Sequence, residues 1–144
     1  MKTTITRRVA LAVASASAAA FVFGATAATA QGVIKIGTPL ALTGPLADEG
    51  KKQKVAYDMW LKRVNAAGGI KVGNKRMKVE LIEYDYQTNG KRAQQVAEKL
   101  ITSDKVNFLS APFGSGHTKI VAAVAERYGV PLMASVSSSL SVYN

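Results

Sequence analysis

The sequence predicts an α/β protein built as a doubly wound parallel sheet with helices on both faces. Strand-like and helix-like stretches alternate from residue 33 to residue 134. The connections between them are short, and two of the helical stretches stop at glycines, Gly68-Gly69 and Gly129. Strand–helix–strand units of this length close by right-handed crossovers, which make neighbouring strands parallel and place helices over the sheet.

Residues 33–37 read as the first strand, and residues 38–49 as a loop carrying Pro39, Gly44 and Pro45. A helix is predicted over 50–67, with Val55, Met59, Trp60 and Val64 on one side and a glycine stop at Gly68-Gly69. Trp60 is assigned to the core. Asp48 and Glu49 fall at the first turn, where carboxylates complement the helix dipole; the alternative for Glu49 is to meet a ligand cation. A turn through Gly73-Asn74 leads to a strand over 77–84 with neither face fully polar, and Asp85 closes it as a turn former. Asn89 caps a second helix over 90–103, whose Ala93, Val96, Ala97, Leu100 and Ile101 form one stripe. Residues 106–111 are the third strand. Gly114-Ser115-Gly116 turns into a third helix, where Ile120, Val121, Val124, Ala125 and Tyr128 make another stripe. Residues 130–134 are the fourth strand, followed by a serine-rich loop over 135–141.

Ahead of this domain stands a predicted signal peptide, residues 1–30. Lys2, Arg7 and Arg8 form a charged start, residues 9–23 carry no charge, and Ala28-Thr29-Ala30 is a small-x-small cleavage site. The apolar run is shorter and more diluted by Ser, Thr and Gly than the roughly 20 residues of a spanning helix. The general secretory route is favoured. Arg7-Arg8 with a weakly apolar run leaves the twin-arginine route open. The expected location is therefore the periplasm.

Composition narrows the chemistry. The chain contains no cysteine, which removes disulfides, thiolate nucleophiles and a lipid-anchored cleavage site. One histidine and no cysteine argue against a transition-metal site. The net charge is +10, and three of the basic residues belong to the leader. The remaining basic residues are dispersed and not interleaved with aromatics, which reads as a solvated surface with weak steering of anions rather than a nucleic-acid face.

In an open parallel sheet, ligands bind outside the carboxyl ends of the strands. The loops 38–49, 112–116 and 135–141 leave such ends. Ser115, Gly116, His117 and Thr118 stand where a helix begins, with free backbone N–H groups and the positive end of a dipole. Ser115 can cap that helix, hold an anion, or do both. A hydrolase built on Ser115 and His117 would need an orienting acid, and the Gly-x-Ser-x-Gly elbow is not met because Phe113 holds the first glycine position. Gly114-x-Gly116 lacks the third glycine of a dinucleotide fingerprint, and no Walker loop is present.

The segments IKIGTPLALTGPLADEG, NAAGGIKVGNKRMKVELIEYD, AQQVAEKLITSDKVNFLSAPFGSGHT and AERYGVPLMAS, taken together, closely resemble the Leu/Ile/Val-binding-protein family. These are the type I periplasmic solute receptors of ABC importers. The resemblance spans everything beyond the leader. It implies two α/β lobes joined by a hinge, with residues 31–144 as the N-terminal part of the first lobe. The implied function is that of an extracytoplasmic substrate-binding component, not an enzyme, without cofactor or metal. It would capture a small carboxylate-bearing solute (a branched-chain or other amino acid, an amide or an aromatic acid) by hinge closure and hand it to ABC permease subunits.

By the same resemblance, Ser115 holds the ligand carboxylate with the backbone of Gly114 and Gly116, and Val136, Ser137 and Ser138 hold carboxylate and amine. Glu49 is a further candidate. It occupies a cleft-mouth position where several amino-acid binders carry an aromatic residue, a departure that bears on branched-chain specificity. Half a cleft cannot enclose a ligand, so the segment alone is expected to bind poorly. A ligand-sensing receptor lobe of the same fold is the alternative, and an exported hydrolase stands third.

Overall fold

The computed structural model describes residues 32–143, and the predicted leader lies outside the described residues. The central strand is β1 (Ile34–Leu40), buried at six of its seven positions. A strand enclosed on both faces reads as a continuous apolar run rather than an alternation. The α1 helix (Ala47–Ala66) follows. Its Gly50 is required by contact: a Cβ there would stand 1.9 Å from the Ala41 carbonyl oxygen. A hairpin of β2 (Ile70–Val72) and β3 (Lys75–Met77) comes next. Then come β4 (Val79–Asp85), α2 (Gly90–Thr102), β5 (Phe108–Ser110), α3 (Ser115–Tyr128) and β6 (Leu132–Met133), with a short 3-10 turn at Leu140–Val142.

The main sheet has strand order β4-β1-β5-β6 with every pairing parallel. The register runs from Ile34 opposite Val79 to Leu40 opposite Asp85. Stepping from β1 to β4 and then back across β1 to β5 and β6 reverses direction. Right-handed crossovers therefore put α1 on one face and α2 and α3 on the other. The core follows that division. Leu109, Ile82, Tyr84 and Leu132 pack with Val96, Leu100, Val121 and Val124 under α2 and α3. Ile34, Ile36, Val79 and Leu81 pack with Trp60, Leu61, Val64 and the hairpin under α1.

The predicted fold class holds, with corrections. The first strand extends to Leu40, and the first helix starts at Ala47. The regular pairing of β5 and β6 covers only three and two residues. Flanking bonds such as Asn107 N–H to the Lys35 carbonyl (2.8 Å) and Ala111 N–H to the Met133 carbonyl (2.9 Å) extend the ladder. Met77 belongs to the hairpin, whose three-residue strands are too short to show alternation.

The stripe assigned to α1 was wrong in two members: Val55 is 57% and Met59 69% exposed. At about 100° per residue, both lie off the face carrying Trp60 and Val64. The inward face includes Gly50 and the buried Gln53 instead. Nor is the sheet covered on both sides throughout. On the α1 face, α1 reaches only the carboxyl end of β5, through Tyr57 and Gln53, and a groove of about 630 Å³ opens beside β5 and β6. Ile36, Trp60, Phe108 and Met133 line it.

Asp85 fastens the carboxyl edge. Its carboxylate accepts from the Leu42 N–H (2.9 Å), the Thr43 N–H (3.3 Å), the Thr43 hydroxyl (2.7 Å) and the Gln87 N–H (2.8 Å). Burial pushes its pKa up, but the hydrogen bonds from Thr43, Gln87 and Leu42 together outweigh that, and the net shift is downward. A depressed carboxylate pKa stabilises the fold above the unfolded value and is lost as pH falls through the folded value. Asp85→Asn is expected to cost about 1–3 kcal/mol at pH 7 in urea denaturation. It is also expected to flatten the loss of stability that the wild type shows below about pH 4.

Candidate functional site

Because the four strands are parallel, their carboxyl ends share one edge. The loops 41–46, 86–89, 111–114 and 134–139 all leave from it. This is the edge at which open α/β sheets bind ligands. The turn into α3 is its focal point. Gly114 sits at φ 92°, ψ 135°, a left-handed backbone that side chains rarely adopt, and this allows the helix to begin directly after β5. Its own N–H reaches the Val136 carbonyl at 3.4 Å. The N–H groups of Ser115, Gly116 and His117 have no backbone acceptor among the described residues, as expected for a helix's first turn. Gly116 is exposed, and a Cβ on it would meet nothing within 4 Å.

The serine loop is tied to this turn at three points. Val136 accepts from Gly114, and the Ser139 N–H donates to Ser115 Oγ at 3.2 Å. The Thr118 hydroxyl lies 2.6 Å from Ser137 Oγ and 3.0 Å from each of the Pro112 and Gly114 carbonyl oxygens. A hydroxyl has one proton. All three contacts are satisfied when Ser137 donates to Thr118 and Thr118 shares its proton between the two carbonyls. Thr118 is fully buried, so this junction is internal to the site.

Of the residues singled out from sequence, Gly114, Ser115, Gly116, Val136 and Ser137 come together. Ser138 is exposed, and its neighbours Ser137 and Ser139 make the contacts to α3. Glu49 is placed at the first turn of α1, where its carboxylate pairs with Lys52 at 2.8 Å along the same helix. Among the described residues no hydrogen bond joins Ser115 to His117. Ser115 Oγ accepts from Ser139, while the His117 ring packs against Tyr86 with centroids 5.0 Å apart. That arrangement is not a nucleophile–base pair. Nor do three or more His, Asp or Glu side chains converge among the described residues in a way that could hold a metal.

Sequence reasoning missed Ser139, the internal role of Thr118, and Tyr86. Thr118 carries a usable signal, a hydroxyl four residues beyond the glycine that opens a helix, able to bond back to that carbonyl. Ser139 carries none within a run of serines.

A sequence model of the family described as "Periplasmic binding protein" matches residues 33–143. The chain belongs to the periplasmic binding protein family. It is 29% identical over 97 residues to the Leu/Ile/Val-binding protein of Escherichia coli K12, covering 67% of this chain and 25% of that protein. The structure resembles the isoleucine complex of the branched-chain amino acid transporter substrate-binding protein LivJ from Streptococcus pneumoniae. The TM-score is 0.70 at 29% identity, over 76% of this chain and 30% of that one. It also resembles a solute-binding protein of an ABC transporter from R. palustris in complex with 4-hydroxybenzoate, with TM-score 0.63 and 26% identity over 76% of this chain and 28% of that one. The chain thus spans about a quarter of the curated relative's length. It forms part of one lobe of the type I fold.

Thr118→Val keeps the shape of the side chain and leaves Ser137 and two carbonyls without their partner. The expected loss is about 1–3 kcal/mol in urea denaturation. Backbone NMR shifts should change at Gly114 and Ser137 and stay constant in α2.

Proposed function

We propose that this chain supplies one wall of a solute-binding cleft in an exported ABC-importer receptor, and that the α3 turn seats the carboxylate of a small solute. The supporting observation is the set of three backbone N–H groups without backbone acceptors at Ser115, Gly116 and His117, beside a serine loop fastened to them. An anion at a helix N-terminus gains roughly 0.3–1 kcal/mol from the dipole, up to about 2 when partly buried. Each charge-assisted hydrogen bond contributes about 1.5–3 kcal/mol. Ser115 Oγ accepts from Ser139, which leaves its O–H free to donate to the same carboxylate. The relatives' ligands support the class: isoleucine and 4-hydroxybenzoate differ in everything except a carboxylate on a small apolar body. Half of the pocket, and with it part of the choice between amino acids and aromatic acids, belongs to the opposing lobe.

In this reading the protein works in the periplasm without chemistry. Ligand bridges the two lobes, shifts the population toward the closed form by its differential affinity, and is passed to the permease. Glu49 stands on the first turn of α1 as a candidate for a ligand ammonium group, at the cost of its pairing with Lys52. Ser115→Ala in the full-length protein is expected to weaken binding of the cognate solute about ten- to a hundredfold by calorimetry. Unchanged affinity would reduce Ser115 to its contact with the serine loop.

A further inference from the structure

We propose that Tyr86 is a positioning residue for the α3 turn: its ring and hydroxyl bracket residues 113–117 and set where the Ser115 and Gly116 amides lie. This rests on the reading of that turn as the carboxylate seat. Tyr86 is the first residue beyond β4 and is fully buried. Its backbone is fixed at both ends: its N–H donates to the Leu40 carbonyl (2.9 Å), and its carbonyl accepts from the Asn89 N–H (3.0 Å). From that anchored position the side chain crosses to a different loop. Its hydroxyl donates to the Phe113 carbonyl at 3.3 Å, and its ring lies 5.0 Å from the His117 ring at a tilt of 49°. One rigid side chain therefore touches the residue before Gly114 and a residue of the first helical turn. The amides between them hang on Gly114, the residue with the widest torsional freedom in the segment. Holding both flanks removes that freedom.

The neighbours agree with this role. Burial above all, with the Asp85 charge adding to it, pushes the Tyr86 phenol up to about 12, so it remains a donor at any working pH. Thr118 braces the same turn from the other side through the Pro112 and Gly114 carbonyls. Tyr86 is also a member of the core under α2 and α3, where a buried hydroxyl needs a partner whatever its role. Were core filling its only role, its loss would loosen the α2–α3 core as a whole rather than the turn.

The test is hydrogen exchange of the full-length protein, wild type against Tyr86→Phe, with no ligand present. Residues 114–118 should exchange about three- to tenfold faster, while residues 96–101 and 121–125 hold their rates. The affinity for isoleucine or 4-hydroxybenzoate, whichever the wild type binds, should fall by a similar factor. Faster exchange at the turn in a protein that binds neither probe supports the positioning role and counts against the carboxylate reading. Unchanged exchange at the turn, or a rise spread evenly over the core, overturns the role. If Tyr86→Phe loses its helical circular dichroism, His117→Ala decides the matter. It removes the ring contact from the far side and should give the same localised increase; an unchanged turn would overturn the role.

Discussion

The amides of a helix's first turn have no carbonyl within their own helix to bond, and this is the constraint around which the carboxyl edge is organised. In α3 it leaves donors at Ser115, Gly116 and His117, next to the positive end of the dipole. In most helices such donors meet a capping side chain or water. Here the capping position is a glycine with no side chain to offer, and the helix has no side-chain cap bond. Gly114 thus serves two purposes: its backbone makes the tight turn, and its bareness keeps the donors available.

The surrounding polar contacts act as supports for this arrangement. Asp85, at the end of β4, draws the 42–43 segment toward the edge through three hydrogen bonds. Thr118 and Ser115 fasten the serine loop, and Tyr86 reaches over from the next loop. The parallel register brings these ends together, since Leu40 lies opposite Asp85 and Ser110 opposite Met133. The same handedness leaves the α1 side of β5 and β6 only partly covered. Phe108 and Met133 remain exposed there, and a further strand added beyond β6 by a right-handed crossover would again place its helix on the α2–α3 side.

The alternation of elements was legible because each helix carries its own local stop or cap. Asn89 accepts from the Arg92 N–H as an N-cap should, and Gly129 closes α3 in the left-handed conformation. The α2 stripe was legible in full because Ala93, Val96, Ala97, Leu100 and Ile101 are all buried and all apolar. The α1 face was not, because it is built partly on a glycine and a buried glutamine. Gln53 donates to the Tyr57 hydroxyl (2.8 Å) and the Ala111 carbonyl (2.9 Å), a long-range role that periodicity cannot register. At the site, the glycine–serine turn announced itself through residue types with a local purpose. Ser139 and Tyr86 act across 24 and 27 residues of sequence, and only the folded edge brings them to their partners.

The most direct measurement is a crystal structure of the full-length protein with its carboxylate-bearing solute bound. The carboxylate oxygens should lie about 2.7–3.1 Å from the Ser115 and Gly116 amide nitrogens, with the serine loop against the same end of the ligand. A ligand that turns its apolar body or its amine toward α3 and seats its carboxylate on the opposing lobe would contradict the account.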